Sequence, residues 1–496
     1  MKKFLCLLLI LGTMLFLSAC KPSGIKDDIS WDIKDGVLTI NGEGAIGNFC
    51  TDWNGTYFET TCYDPSTIPW YGLDYHTVIL EEGITTVSKH AFADAENLKK
   101  VIIRGQNIEI DYCAFYNCKN LQEIENSEQI TFMDIAAFGD CVQLKSIKLG
   151  SKLRALYDFI QYALSGCTAL ESVEIHKDHK ELESVDGVVY TSGMKELLFY
   201  PMGKQDQSFV IPDAVDTIDS SAFKQVQHLE SVTIAGCNAN NYAFENCPAL
   251  NTVIVGNGVN MTNSVFSNCS ALESFQVTAD NSTYSTRDGV LYKDSGEYLL
   301  ISCYPSEKKD LSFTVPEDVS YIQANAFKDC KYLENVDFAG SRITCISGEA
   351  FYSCKSLKSI TLPESVTEIG QNAFAECDSL KNITLPEGLT TLGKEAFRHC
   401  DSLESIRIPG GVTELYGTFW ACKGLKTVEI AEGVTSIHSE AFRSCDALET
   451  VIIPKSVTNI TPYALDGVQN LTICCYKNSA AEEYAKTHNI AYILYD

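Results

Sequence analysis

Cysteine is the residue type in this chain best able to do chemistry, and there are 21 of them in 496 residues. Eleven follow one rule: Cys118, Cys141, Cys167, Cys247, Cys269, Cys330, Cys354, Cys377, Cys400, Cys422 and Cys445 each stand three places after a Phe or Leu. Thiols in such numbers can act as nucleophiles, metal ligands or disulfide partners. The same place holds Ala95, Val226 and Val468 in three other copies. A position that accepts Cys, Ala and Val alike behaves as a small buried site, the usual setting of an inert thiol. Equivalent side chains on successive repeats would also point in parallel, which is poor geometry for a bridge. The expectation is a ladder of free thiols. Cys50 and Cys62 differ, because they bracket a segment outside the rule and could close it, so bridged and free states both stand open. Cys474-Cys475 reads as an accident of strand composition.

Histidine is sparse, with eight in the chain, and only His176 and His179 are close enough to invite a metal reading. They have no third ligand at a familiar spacing, and Lys177 and Lys180 would repel a cation. A solvated loop is the expectation there. No G-x-S-x-G, H-E-x-x-H, phosphate-cradling glycine loop or EF-hand pattern occurs. Paired acids such as Glu81-Glu82 fall in connecting loops. Nothing assembles an active site, so the chain reads as non-enzymatic, with no cofactor and no metal.

Chemistry of another kind is written into residues 1–20. Lys2-Lys3 is followed by an apolar run from Phe4 to Leu17 and then Leu17-Ser18-Ala19-Cys20, the three-part layout of a secretory signal. The run is shorter than the roughly 20 residues that span a bilayer. Leu-Ser-Ala-Cys resembles a bacterial lipobox, and that resemblance implies acylation of the Cys20 thiol as the new N-terminus. Residues 21–30 would then be a tether, and the mature chain would be exported, lipid-anchored to the membrane and facing outside the cell. Free thiols in such a protein suggest a reducing or anaerobic habitat.

Composition is that of a well-folded protein, with 45% hydrophobic, 21% charged and 10% aromatic residues. A formal charge of −27 disfavours nucleic acid as a partner, because phosphate binding depends on clustered Lys and Arg, and no nucleic acid is expected.

The elements that must carry these residues come from a repeat of about 23 residues. An Ala-Phe pair, sometimes varied, places Phe or Leu at 92, 115, 138, 164, 223, 244, 266, 327, 351, 374, 397, 419, 442 and 465. The frame is best seen from Ile369-Gly370 through Ala373-Phe374, Cys377, Leu380, Ile383, Leu385-Pro386 and Leu389. Ile383 and Leu385 flank Thr384 with the period of two of a half-buried strand, which Pro386 ends. Phe374 to Leu380 has apolar positions three apart, which suits a tight helical or 3₁₀ turn. One repeat buries too little to stand alone, so neighbours must stack.

This frame resembles the BspA-type leucine-rich repeat of bacterial surface proteins over residues 30–496. The resemblance implies a mainly β repeat solenoid with short helical or 3₁₀ turns, an N-terminal β cap and a C-terminal helix-strand cap. The N-terminal cap region is assigned to 31–75 on Asp35-Gly36-Val37-Leu38, the solenoid to 76–472 and the C-terminal cap to 473–496. Within the solenoid, 182–212 and 284–316, carrying Asp186-Gly187-Val188-Val189-Tyr190 and Asp288-Gly289-Val290-Leu291-Tyr292, resemble the family's inserted hairpin repeats. Ser479-Ala480-Ala481-Glu482 reads as a capping box opening a short helix towards Lys486.

Two surfaces are candidates for binding. Outward residues of the main strands are mostly small and polar: Ser359, Thr361, Asn382, Thr384, Ser405, Arg407, Thr427 and Glu429. They could form a flat face for an extended partner, or simply a solvated sheet. The segment 48–70 carries Trp53, Tyr57, Phe58, Tyr63 and Trp70, which could be binding anchors or a cover over the first rung. The reading is a monomeric cell-surface repeat protein for protein or glycan recognition. The alternative is a structural spacer or surface-coat component without a specific ligand.

Overall fold

The computed structural model describes residues 23–26, 28–47, 65–154, 159–338 and 340–495. Stacked rungs build a mainly β solenoid, and the chain divides into two compact units, residues 1–206 with 212–228 and residues 207–211 with 229–496.

A regular rung in the second unit shows how the repeat frame becomes structure. Ser359–Thr361 pairs in parallel with Asn382–Ile383, placing Ser359 beside Asn382 and Ile360 beside Ile383. Alternation turns Ile360, Ile383 and Leu385 into the core and leaves Ser359, Thr361, Asn382 and Thr384 exposed. On the far side of the rung a shorter pair of residues, Glu368–Ile369, joins Thr391–Leu392 in a second parallel ladder. Both ladders keep equivalent residues in register, so like side chains form columns through the stack.

Between the ladders runs the Ala-Phe turn. Phe374 O accepts from Cys377 N at 3.3 Å and Cys377 O from Leu380 N at 3.0 Å, the three-residue bonding that matches apolar positions three apart. Asn372 and Glu376 take left-handed backbone angles, φ 54° and 61°, and stop these turns from running on as a helix. Each turn bonds to the next: Phe351 N donates to Ala373 O and Phe374 N to Ala396 O, both at 2.8 Å. The phenylalanine rings therefore stack face to face through the core. Phe351, Phe374, Phe397, Phe419 and Phe442 follow one another at 5.3–5.5 Å between centroids, with planes within 10° of parallel.

The glycine before Ala-Phe has a steric reason. A Cβ on Gly393 would overlap the backbone of Gly370 and Gln371, so the rungs touch there backbone to backbone.

In the first unit Ile29–Lys34 and Val37–Gly42 form an antiparallel hairpin whose second strand starts the parallel ladder on Thr77–Leu80. This is the N-terminal β cap. Ser23–Lys26, within the segment assigned as a tether, pairs antiparallel with Ile29–Lys34. Leu182–Val185 and Val188–Thr191 form a hairpin, continued antiparallel by Glu196–Phe199. The second unit repeats the motif with Tyr284–Arg287, Val290–Asp294 and Leu299–Cys303. It closes with the helix Ala480–Thr487 and the strand Ala491–Tyr495. Ser479 Oγ accepts from Glu482 N at 3.2 Å, while the Glu482 carboxylate reaches back to Asn478 N at 2.6 Å, one residue before the N-cap.

Candidate functional site

The strand face of the second unit is built by alternation alone. Ser359, Thr361, Asn382, Thr384, Ser405, Arg407, Thr427 and Glu429 are all exposed, while the residues between them are buried. Ser405–Ile408 and Thr427–Ile430 pair in parallel, bringing Ser405 beside Thr427 and Arg407 beside Glu429. Asn382–Ile383 and Ser405–Ile408 belong to different sheets. At that break the face dips into a concavity of about 350 Å³, lined among others by Asn382, Thr384, Ser405, Arg407, Thr427 and Glu429.

Charge on this face is paired. The Arg407 guanidinium lies between two carboxylates, bonded to Glu387 and, at 3.2 Å, to Glu429. Such exposed pairs add little to stability, but they fix where the one arginine of the concavity points. Ser359 Oγ donates to Asn335 Oδ1 at 2.7 Å, so part of the hydroxyl row is tied along the stack. The face thus offers hydroxyls, an amide, one positioned cation and flanking carboxylates. That chemistry suits hydrogen bonding to an extended polar partner, and it contains no nucleophile set beside a base.

The aromatic segment divides. Trp53, Tyr57, Phe58 and Tyr63, with Cys50 and Cys62, lie outside the described residues, as does Cys20. Trp70 is buried: its ring stacks on Phe92 at 5.4 Å and its Nε1 donates to Ala91 O at 2.8 Å. It covers the first rung by starting the phenylalanine column, which Phe92, Phe115 and Phe138 continue at 5.0 and 5.2 Å.

The ladder cysteines are buried and free. Their thiols have work that the sequence did not reveal. Cys118 Sγ donates to Phe92 O at 3.1 Å, Cys354 to Phe327 O at 2.9 Å, Cys377 to Phe351 O at 3.2 Å and Cys445 to Phe419 O at 3.1 Å, each one rung back. Burial pushes the thiols of Cys167 and Cys445 up to about 12, far from the thiolate a nucleophile or metal ligand requires.

His179 Nε2 hydrogen-bonds to Leu153 O at 2.9 Å, and its Nδ1 accepts from Leu182 N at 3.0 Å. A carbonyl can only accept, so Nε2 carries the proton and both ring nitrogens are engaged in holding the loop. No cluster of three or more His, Cys, Asp or Glu side chains placed to hold a metal ion occurs among the described residues. Nor is any described helix long and apolar enough to cross a membrane.

A family model described as BspA type Leucine rich repeat region matches in six copies, over residues 70–185, 196–293, 302–419 and 416–485. The chain is similar to the crystal structure of a leucine-rich repeat protein from Eubacterium ventriosum ATCC 27560, at 22% identity over 76% of this chain and 94% of that one, with TM-score 0.48. It is similar also to a leucine rich cell surface protein from Faecalibacterium prausnitzii A2-165, at 21% identity over 94% and 98%, with TM-score 0.34. A leucine-rich repeat protein from Bacteroides ovatus ATCC 8483 is 19% identical over 92% and 100%, with TM-score 0.40. No curated protein matches the chain.

Proposed function

We propose, from the premise that this chain belongs to the BspA-type leucine-rich-repeat family, that it is a non-catalytic scaffold recognising a protein or glycan outside the cell. The observation that carries this reading is the exposed polar strand face of the second unit, with its concavity between Asn382 and Glu429. Small side chains leave the sheet accessible to an extended partner, and hydroxyl and amide groups supply hydrogen bonds without the cost of ordering long side chains. Contacts of this kind add along a stack, so affinity is spread over rungs instead of held in one residue. Residues 1–20 support placement on the outer surface, through acylation at Cys20.

The test is a binding screen of the folded protein, without its leader, against host matrix proteins and glycans, followed by a fourfold variant. Ser359→Arg, Thr361→Arg, Asn382→Arg and Thr384→Arg together abolish binding of the identified partner and leave thermal unfolding unchanged, because all four side chains point away from the core. A partner whose binding ignores the fourfold change sinks the strand-face site. Hydrolytic turnover that disappears on replacing a single acid or histidine sinks the non-catalytic reading.

A further inference from the structure

The two inserted hairpin repeats are equivalent in the backbone, and a comparison between them exposes a site. Tyr200 N donates to Ala222 O at 2.8 Å and Tyr304 N to Ala326 O at 2.7 Å. Gly203 N bonds to Leu170 O at 2.8 Å and Glu307 N to Leu272 O at 2.9 Å, while Gln227 N meets Met202 O and Lys331 N meets Ser306 O, both at 2.9 Å. Tyr200 and Tyr304 even take the same place in the aromatic column, stacked on Phe223 at 4.7 Å and on Phe327 at 5.1 Å. Phe199 therefore corresponds to Cys303, and Met202 to Ser306.

In the first copy Phe199 and Met202 are each only 2% exposed and leave a residual cavity of about 30 Å³. In the second, Cys303 and Ser306 line a cavity of about 420 Å³. Two large apolar side chains have been exchanged for two small ones, and the space is open. Its volume falls in the range of small-molecule sites, roughly 300–1,000 Å³.

The lining says what would fill it. Phe266 lines the cavity and is only partly buried, whereas the other column phenylalanines are fully enclosed. One face of its ring stacks on Phe244 at 5.4 Å and its flank meets Phe275 edge-on, and no ring covers its other face among the described residues. Val265, Leu272 and Leu291 add apolar wall. Three buried side-chain atoms of lining residues, Tyr304 Oη, Asn325 Oδ1 and Asp329 Oδ2, have no hydrogen-bond partner among the described residues; the Asn325 and Asp329 oxygens call for a donor, and the tyrosine hydroxyl can give or accept. Of the lysines at the rim, Lys328 is held by Glu349 at 2.9 Å and Lys331 by Glu307 at 3.3 Å, which leaves Lys355.

We propose that this cavity binds a small neutral aromatic molecule bearing O–H or N–H donors, its ring stacked on Phe266 and its donors turned to Asn325 and Asp329. None of the lining residues belongs to the strand-face concavity, so the two sites stand or fall separately.

The experiment is calorimetric titration of the whole folded protein with p-cresol, indole, cyclohexanol and benzoate, with melting temperature as a second readout. p-Cresol and indole bind and raise the melting temperature, and cyclohexanol, which has the donor but no flat ring, binds about tenfold more weakly, the upper range of what ring stacking supplies. Restoring the first copy's residues with Cys303→Phe and Ser306→Met removes binding of both rings without lowering the melting temperature. Should that pair fail to fold, Ser306→Met alone is expected to weaken both rings. The proposal is overturned by wild-type protein that binds neither ring, by cyclohexanol binding as tightly as p-cresol, by tighter binding of benzoate, or by undiminished binding in a folded refilled variant.

Discussion

The cysteine ladder shows how one atom sets a residue preference. At its repeat position a small side chain is required for packing, and Ala or Val meets that requirement. Only Cys also places a weak donor 2.9–3.3 Å from the phenylalanine carbonyl of the preceding rung. That carbonyl already accepts a backbone N–H, as Phe351 O does from Cys354 N at 3.2 Å, so the thiol adds a second partner instead of rescuing an orphan. The contribution of each thiol is accordingly modest. Cys377→Ala is expected to keep the fold and lower stability by about 1 kcal/mol, through lost packing more than through the lost S–H bond. Urea unfolding of the variant measures the cost, and mass mapping of unreduced protein is expected to find Cys354, Cys377 and Cys400 unbridged. A loss several times larger, or a bridge between successive ladder cysteines, contradicts this account.

A rung is defined by where its backbone meets its neighbours. Gly393 has no room for a Cβ against Gly370 and Gln371, whereas a Cβ on Gly388, five residues earlier in the same rung, would meet only Glu364 O at 3.7 Å. Gly393→Ala is expected to cost about 1–3 kcal/mol by forcing two rungs apart. Gly388→Ala, at ordinary backbone angles and on the surface, is expected to be neutral or to stabilise by about 0.4–1 kcal/mol through the unfolded chain. Thermal unfolding of the two variants side by side separates close approach from any general intolerance of alanine. Equal costs at both places would show that the contact at Gly393 relaxes freely.

At the scale of the whole molecule, no described helix is long and apolar enough to cross a membrane, and the proposed attachment through Cys20 is a separate, testable claim. If Cys20 is the anchor, Cys20→Ala is expected to abolish incorporation of labelled fatty acid and to release the protein from the membrane fraction. Wild-type protein that takes up no label would replace anchoring by plain secretion. Acyl chains contribute about 0.8 kcal/mol per buried methylene, so the difference between anchored and released forms is large enough to read by fractionation.

Most of the fold was legible in the sequence because each rung obeys local rules. Strand alternation at Ile383 and Leu385, the stop at Pro386, the three-residue spacing from Phe374 to Leu380 and the cap at Ser479 each depend on residues close in the chain, and repetition states every rule many times over. The exposure of Ser359, Thr361, Asn382 and Thr384 follows from the same alternation. What the tertiary structure alone decided involves residues one or more rungs apart. Burial made Trp70 the first member of the aromatic column, parallel register set Arg407 between Glu387 and Glu429, and stacking brought ladder thiols such as those of Cys167 and Cys422 to carbonyls 25 to 29 residues back. The cavity beside Phe266 is the clearest case. Cys303 and Ser306 are unremarkable as letters, and their smallness matters only because the fold places them where Phe199 and Met202 fill the equivalent space in the other copy. A void is a property of several side chains meeting at one point, and no single stretch of sequence records that meeting.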